Sequence, residues 1–195
     1  MKKAIGIDLG TTNSVVAFKT KNVEIIRNNE NEELTRSCVG YMNEQLVVGK
    51  HPFNILLATP NLVISVKRLM GGTIKDEMVK QMITESKKLN GYYKFGITEL
   101  KGGTDGAVAV ILGGKQFTPE QISAEVLKKI KSDFEAKEGE VSHAVITVPA
   151  YFTEKQKNAT RIAANLAGLK VSRLLAEPTA AAIAYGVDNL KIGEA

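Results

Sequence analysis

The sequence predicts an α/β protein: a mixed sheet flanked by helices, carrying a smaller α+β insertion subdomain. Two patterns predict it. Near the start, Asp8-Leu9-Gly10-Thr11-Thr12-Asn13 separates two β-rich runs and so reads as a hairpin turn. In the second half, strand, helix, strand and helix alternate, which is the pattern of a right-handed β–α–β crossover. A length of 195 residues suits one large domain or two small ones.

The elements follow in order. Residues 4–7 form an apolar strand, Ser14-Val15-Val16-Ala17-Phe18 resumes after the turn, and Val23-Glu24-Ile25-Ile26 offers a third strand. Cys38–Met42 and Gln45–Val48 read as a hairpin about Asn43-Glu44. Short helices are expected at 53–58 and at 63–70, the second stopping at Gly71-Gly72. Met78, Val79, Met82 and Ile83 have helical spacing. Strands are expected at 92–98 and 107–112 around Gly102-Gly103, with a short one at Lys115–Phe117. Thr118-Pro119-Glu120-Gln121 is a capping box with proline in the first turn. The helix it opens presents Ile122, Val126, Leu127, Ile130 and Phe134 on one face. A buried-type strand at 144–148 ends at Pro149. Thr153 and Gln156 form a second capping box, on a helix that stops at Gly168. A strand at 171–176 leads to Pro178, which opens an alanine-rich helix through Tyr185 with Gly186 as its stop. Residues of about 40–115 are expected to be the insertion, and about 1–39 and 116–195 the core.

Composition removes several classes. At 44% hydrophobic and 24% charged residues, the chain has the usual globular balance. Its apolar runs are too short for a transmembrane helix, and Asp8 interrupts the first one too early for a secretory signal. A cytoplasmic location with no membrane partner is the expectation. The net charge of +5 is mild, and Lys128, Lys129, Lys131 and Lys137 read as a solvated helix face, so no nucleic-acid partner is expected. Cys38 is the single cysteine, which excludes an internal disulfide and cysteine metal clusters. His51 and His143 share no ligand spacing.

Three stretches carry chemistry. Asp8 to Asn13 combines a glycine, consecutive backbone N–H groups and two hydroxyls, a composition that can cradle phosphate, while Asp8 can hold a Mg²⁺ shell through water. P-loops run from strand to helix; here the chain returns as a strand, and an ordinary hairpin turn fits equally well. Lys67-Arg68 places a mobile positive charge where it can meet phosphate, although such a pair is usually a solvated surface. Glu177-Pro178-Thr179 sits between a strand end and a helix N-terminus, where dipole and free N–H groups favour anions. A simple helix start accounts for it too.

Taken together these stretches resemble one family. Ile7-Asp8-Leu9-Gly10-Thr11-Thr12-Asn13-Ser14, Val66-Lys67-Arg68-Leu69-Met70-Gly71, the run from Ala144 through Val148-Pro149-Ala150-Tyr151-Phe152, and Glu177-Pro178-Thr179-Ala180-Ala181-Ala182 occur in the order and spacing of the N-terminal ATPase domain of DnaK-type heat-shock chaperones, the seventy-kilodalton class. The resemblance implies an actin-like (ribonuclease H-like) ATPase lobe that binds ATP/ADP with Mg²⁺. By the same resemblance Gly10, Thr11, Thr12 and Asn13 form the first phosphate loop, with Thr11 near the γ-phosphate. Lys67 contacts that phosphate and the attacking water. Asp8 and Glu177 hold Mg²⁺ through its waters, so that Lys67, Glu177, Asp8 and Thr11 are the catalytic set. Pro149, Tyr151 and Lys157 belong to an interdomain relay, and Arg173 to the surface that meets a J-domain co-chaperone.

Two departures stand out. Lys157 replaces the usual relay arginine and loses its bidentate geometry; Ala176 replaces the asparagine usual before Glu-Pro-Thr. The resemblance further implies a nucleotide exchange factor, and unfolded polypeptide clients held by a domain absent here. It implies that the second lobe, with the adenosine pocket, is absent as well, so weak or no hydrolysis is expected of these 195 residues alone. An actin-type filament or scaffold protein of the same fold is the alternative.

Overall fold

The computed structural model describes residues 3–104 and 106–190, so the outermost ends of the expected core lie outside the described residues. Twelve strands and five α-helices are formed within them. The strands are β1 (Lys3–Asp8), β2 (Asn13–Lys19), β3 (Val23–Ile25), β4 (Thr35–Arg36), β5 (Cys38–Met42), β6 (Gln45–Val48), β7 (Leu62–Ile64), β8 (Gly96–Glu99), β9 (Val108–Leu112), β10 (Lys115–Phe117), β11 (Val141–Val148) and β12 (Lys170–Ala176). The helices are α1 (Lys50–Leu56), α2 (Glu77–Ser86), α3 (Pro119–Glu138), α4 (Glu154–Leu166) and α5 (Glu177–Leu190), with a 3-10 helix at Val66–Leu69.

The main sheet runs β12-β11-β1-β2-β3, with β4 paired to β2. It is mixed: β1 and β12 lie parallel to β11, while β2 is antiparallel to β1 and to β3. The alternation along β1 shows why. Ile5 and Ile7 are buried, whereas Gly6 and Asp8 face outward, as a period of two requires. Ala144 and Ile146 of β11 continue the buried side and share one hydrophobic core with Leu127, Ile130 and Phe134 of α3 and Ala159, Ala163 and Ala164 of α4; α3 packs on β11 and β2, and α4 on β12. The small side chains of α4 permit close approach, and α3 and α4 pack on each other.

Both expected capping boxes form. Gln121 N donates to Thr118 Oγ1 at 3.2 Å while Thr118 N donates to Gln121 Oε1 at 2.8 Å. Thr153 and Gln156 repeat the exchange. Gly139 and Gly168, at φ 88° and 70°, end the turns that L side chains disfavour.

Residues 38–117 contribute two separate three-stranded sheets, β6-β5-β7 and β10-β9-β8. Asn43 and Glu44 both have positive φ, 49° and 62°, which gives the β5–β6 hairpin a turn whose twist matches its strands. Cys38 is buried in β5, where its thiol donates to Gly49 O at 3.2 Å. Burial pushes its pKa up to about 11, so it is an inert thiol at neutral pH.

Four local expectations are corrected. The helix expected at 63–70 is strand β7 followed by the short 3-10 helix, because Ser65 turns the chain at φ 55°. The strand expected at 92–98 starts only at Gly96; before it, Tyr92, Tyr93 and Phe95 pack ring against ring, edge to face. The helix expected at 53–58 is shifted toward the N-terminus, to Lys50–Leu56. Gly186 does not stop the last helix, which runs on to Leu190.

Candidate phosphate-binding site

Three parallel strands end level at one edge of the main sheet. Asp8, the last residue of β1, lies opposite Thr147 of β11, and Thr147 lies opposite Leu175 of β12. Two strand steps separate the outer pair, roughly 10 Å. The carboxyl ends of parallel strands are where open α/β sheets bind ligands. Leu9-Gly10-Thr11-Thr12 follows β1, Pro149 follows β11, and Glu177 follows β12.

The turn after β1 is tight. A Cβ on Gly10 would fall 2.0 Å from Asn13 O, so no side chain fits there. Its far side is anchored: Ser37 N donates to Thr12 O at 2.8 Å, and the hydroxyls of Ser14 and Ser37 meet at 2.8 Å in a buried contact. Asp8 is exposed, and its Oδ1 accepts a 2.8 Å hydrogen bond from Thr147 Oγ1.

Lys67 arrives from a different element. Ser65 turns the chain out of β7, and the 3-10 helix then carries Lys67 inward, leaving it only 7% exposed. Its Nζ donates to Glu177 Oε1 at 2.8 Å and lies 5.7 Å from the centre of the Phe152 ring. A buried ammonium needs such a partner, because an unpaired buried charge is costly. One of its three N–H groups goes to Glu177, which leaves donors for a ligand. Glu177 stands in the first turn of α5, where a carboxylate also complements the helix dipole.

A cavity of about 400 Å³ opens here, with Thr11, Lys67, Pro149 and Tyr151 in its wall. Its size falls in the range usual for small-molecule sites. The structure thus gathers four of the expected residues around one space and sets Glu177 on Lys67. Asp8, Gly10, Thr12 and Asn13 form the adjoining strand end and turn. Two others stand apart from the cavity. Lys157 pairs with Glu154 at 2.7 Å on the outer surface of α4, and Arg173 is exposed on β12, the edge strand.

Sequence reasoning missed Phe152, whose ring backs Lys67, and the cavity-wall residues Gln81 and Gln156. Nothing in their spacing relates them to Lys67. A larger hollow of about 500 Å³, between the start of α3 and the outer face of α4, is lined by Leu69, Pro119 and Ile162 and holds none of the expected site residues.

The chain is 42% identical over 192 residues to the chaperone protein DnaK of Psychrobacter cryohalolentis, covering 97% of this chain and 28% of that protein. It is 41% identical over 195 residues to the chaperone protein DnaK of Deinococcus radiodurans, covering 97% of this chain and 29% of that one. The chain therefore spans less than a third of the length of these curated relatives. The Hsp70 protein family matches residues 4–194, nearly every position that builds the strand ends, the turn and the cavity, and the chain belongs to that family.

Proposed function

We propose that this chain is the first lobe of the ATPase domain of a DnaK-like chaperone, and that the cavity beside Lys67 receives the terminal phosphate of ATP. The observation that carries this reading is the meeting of Lys67 and Glu177 at 2.8 Å beside Thr11, across 110 residues of sequence. The mixed sheet with flanking helices is consistent with an actin-like ATPase lobe. We further divide the lobe into a core of about 1–39 and 116–195 and an inserted subdomain of about 40–115, supported by the two small sheets that do not join the main one.

The donor set fits Mg²⁺. Among the described residues no three His, Cys, Asp or Glu side chains gather into a direct metal cage. Two carboxylates, Asp8 at a strand end and Glu177 at a helix start, suit an ion that keeps most of its water. Bound there, the ion would neutralise charge on the phosphates. The chain's own residues do the rest. Backbone N–H groups of Gly10 to Asn13 and the Thr11 hydroxyl orient the phosphates. The Lys67 ammonium, held by Glu177 and Phe152, donates to the transferring group and positions the attacking water. Phosphoryl transfer depends chiefly on such positioning and charge stabilisation.

Hydrolysis, the coupling of nucleotide state to unfolded polypeptide, and contacts with a J-domain co-chaperone near Arg173 and with an exchange factor are proposed for the whole protein, with Pro149, Tyr151 and Lys157 as the relay. A cytoplasmic setting goes with this reading; among the described residues no helix is long and apolar enough to cross a membrane. The test is Lys67→Ala in the full-length protein. ATP hydrolysis is expected to fall about 10²–10³-fold while nucleotide binding persists. Unchanged turnover would refute the role given to Lys67. Nucleotide-dependent sedimentation of the full-length protein would favour a filament instead.

A further inference from the structure

Asp8 is held by a residue to which the proposed site gives no role. β1 and β11 run parallel, and Asp8 lies opposite Thr147 at their carboxyl ends. A period of two turns both side chains away from the core that Ile7, Ile146 and Val148 fill. There the Thr147 hydroxyl donates to Asp8 Oδ1 at 2.8 Å. Among the described residues this is the only hydrogen bond of the Asp8 side chain, and Oδ2 has no partner. The bond is not needed to join the strands, because their backbone ladder already pairs them from Lys3 to Asp8. Its effect is on the carboxylate. An exposed aspartate at a strand end otherwise turns about two side-chain torsions. Threonine is stiff at χ1, so its hydroxyl reaches the acceptor with little freedom to lose. A hydroxyl has one proton to donate, and giving it to Oδ1 fixes which carboxylate oxygen remains for a ligand.

We propose that Thr147 is a positioning residue of this site: it orients the Asp8 carboxylate so that Oδ2 receives a water of the hydrated divalent cation that accompanies a nucleotide's phosphates. The proposal rests on the reading of the cavity as the phosphate end of a nucleotide site, with Asp8 as one of its metal-side carboxylates. Thr147 acts through Asp8 alone and touches neither ion nor phosphate. Removing a partner that orients a direct metal ligand typically costs about 10–100-fold in metal affinity. With water between carboxylate and ion, the lower end of that range is expected here.

The full-length protein is titrated with ATP by calorimetry, once with saturating Mn²⁺ in place of Mg²⁺ and once with no metal; the ratio of the two affinities is the gain the ion confers. Thr147→Val keeps the shape and the β-branch and removes the donor. It is expected to cut that gain about tenfold while metal-free ATP binding changes less than about twofold. Thr147→Ser, which keeps the donor, is expected to retain most of the gain. An undiminished gain in a folded Thr147→Val, alongside a loss in Asp8→Asn, overturns the proposal and leaves the proposed function standing. A Thr147→Ser as weak as Thr147→Val, or an equal loss without metal, makes Thr147 a part of the fold only and overturns it too. Should Thr147→Val fold poorly, the wild-type protein decides: its Thr147 methyl resonance is expected to broaden when Mn²⁺ is added with ATP, and an unbroadened signal overturns the proposal. A full gain in Asp8→Asn overturns it together with the metal role given to Asp8. No ATP binding by the wild-type protein overturns both the proposal and the proposed function.

Discussion

Helices α3 and α5 have similar local credentials and opposite surroundings. α3 opens with a complete capping box and buries Ile122, Val126, Leu127, Ile130 and Phe134 against the sheet. α5 starts directly from a strand end, and Ile183 and Tyr185 are 54% and 74% exposed. Yet α5 supplies Glu177 to Lys67, and α3 supplies nothing to that cavity. The helix that holds the fold and the helix that completes the site are separate devices. Most helical stability comes from packing an apolar face, whereas a carboxylate at a helix start needs only the position of the first turn. The proposed site takes its carboxylate from the helix with exposed Ile183 and Tyr185, not from the deeply buried one.

Four substitutions or conditions probe that contrast, in descending order of effect. Phe134→Ala removes a fully buried ring that meets Phe18 edge to face at 5.5 Å, and should cost about 3–5 kcal/mol in chemical unfolding. A cost below about 1 kcal/mol would mean that α3 is not the keystone it appears from its burial. The second test concerns Cys38, whose folded pKa is raised from 9.0 to about 11 by burial. Its neutral form is favoured in the fold, so that stability is complete below pH 9.0 and fades as pH climbs to about 11. The total is about 2–3 kcal/mol, and it should be missing from the pH profile of Cys38→Ala. Identical alkaline profiles would remove Cys38 from the tightly packed half.

Thr118→Ala deletes the acceptor that Gln121 N uses at the start of α3. A loss of about 1 kcal/mol in thermal unfolding is expected; no loss would show that α3 is held by its apolar face alone. Smallest of all, Tyr185→Ala on exposed α5 should change stability by no more than about 0.5 kcal/mol. A larger change would show that α5 is packed more firmly than its exposure indicates.

Much of this was legible in the sequence because the signals were local. Thr118 with Gln121, and Thr153 with Gln156, announce two helix starts through chemistry that spans four residues. The return of Ser14 to Phe18 as an apolar run marks the Asp8–Asn13 segment as a hairpin turn. Leu62–Ile64 was harder: a three-residue strand joined to one turn of 3-10 helix has the same apolar density as a short helix, and the left-handed Ser65 between them leaves no trace in composition. Gly186 has the look of a stop in sequence, but a helix tolerates one glycine at a cost of about 1 kcal/mol, and α5 runs on to Leu190. For the site, the residues Lys67 and Glu177 could be singled out one by one. Their grouping is expected from the family resemblance alone; no local pattern carries it, since the two lie 110 residues apart in the chain. Phe152 behind Lys67 was invisible for the same reason.

The parallel pairing of β1 with β11 has a consequence in time. Thr147 follows Asp8 by 139 residues. A ribosome adding 5–20 residues per second takes about 7–28 s to cover that interval. Throughout it β1 has its hairpin partner β2 on one side and nothing native on the other, so Ile5, Ile7 and a row of unpaired backbone groups lie open to any neighbouring strand. The strand that sits deepest in the finished sheet is the one that waits longest for its second neighbour.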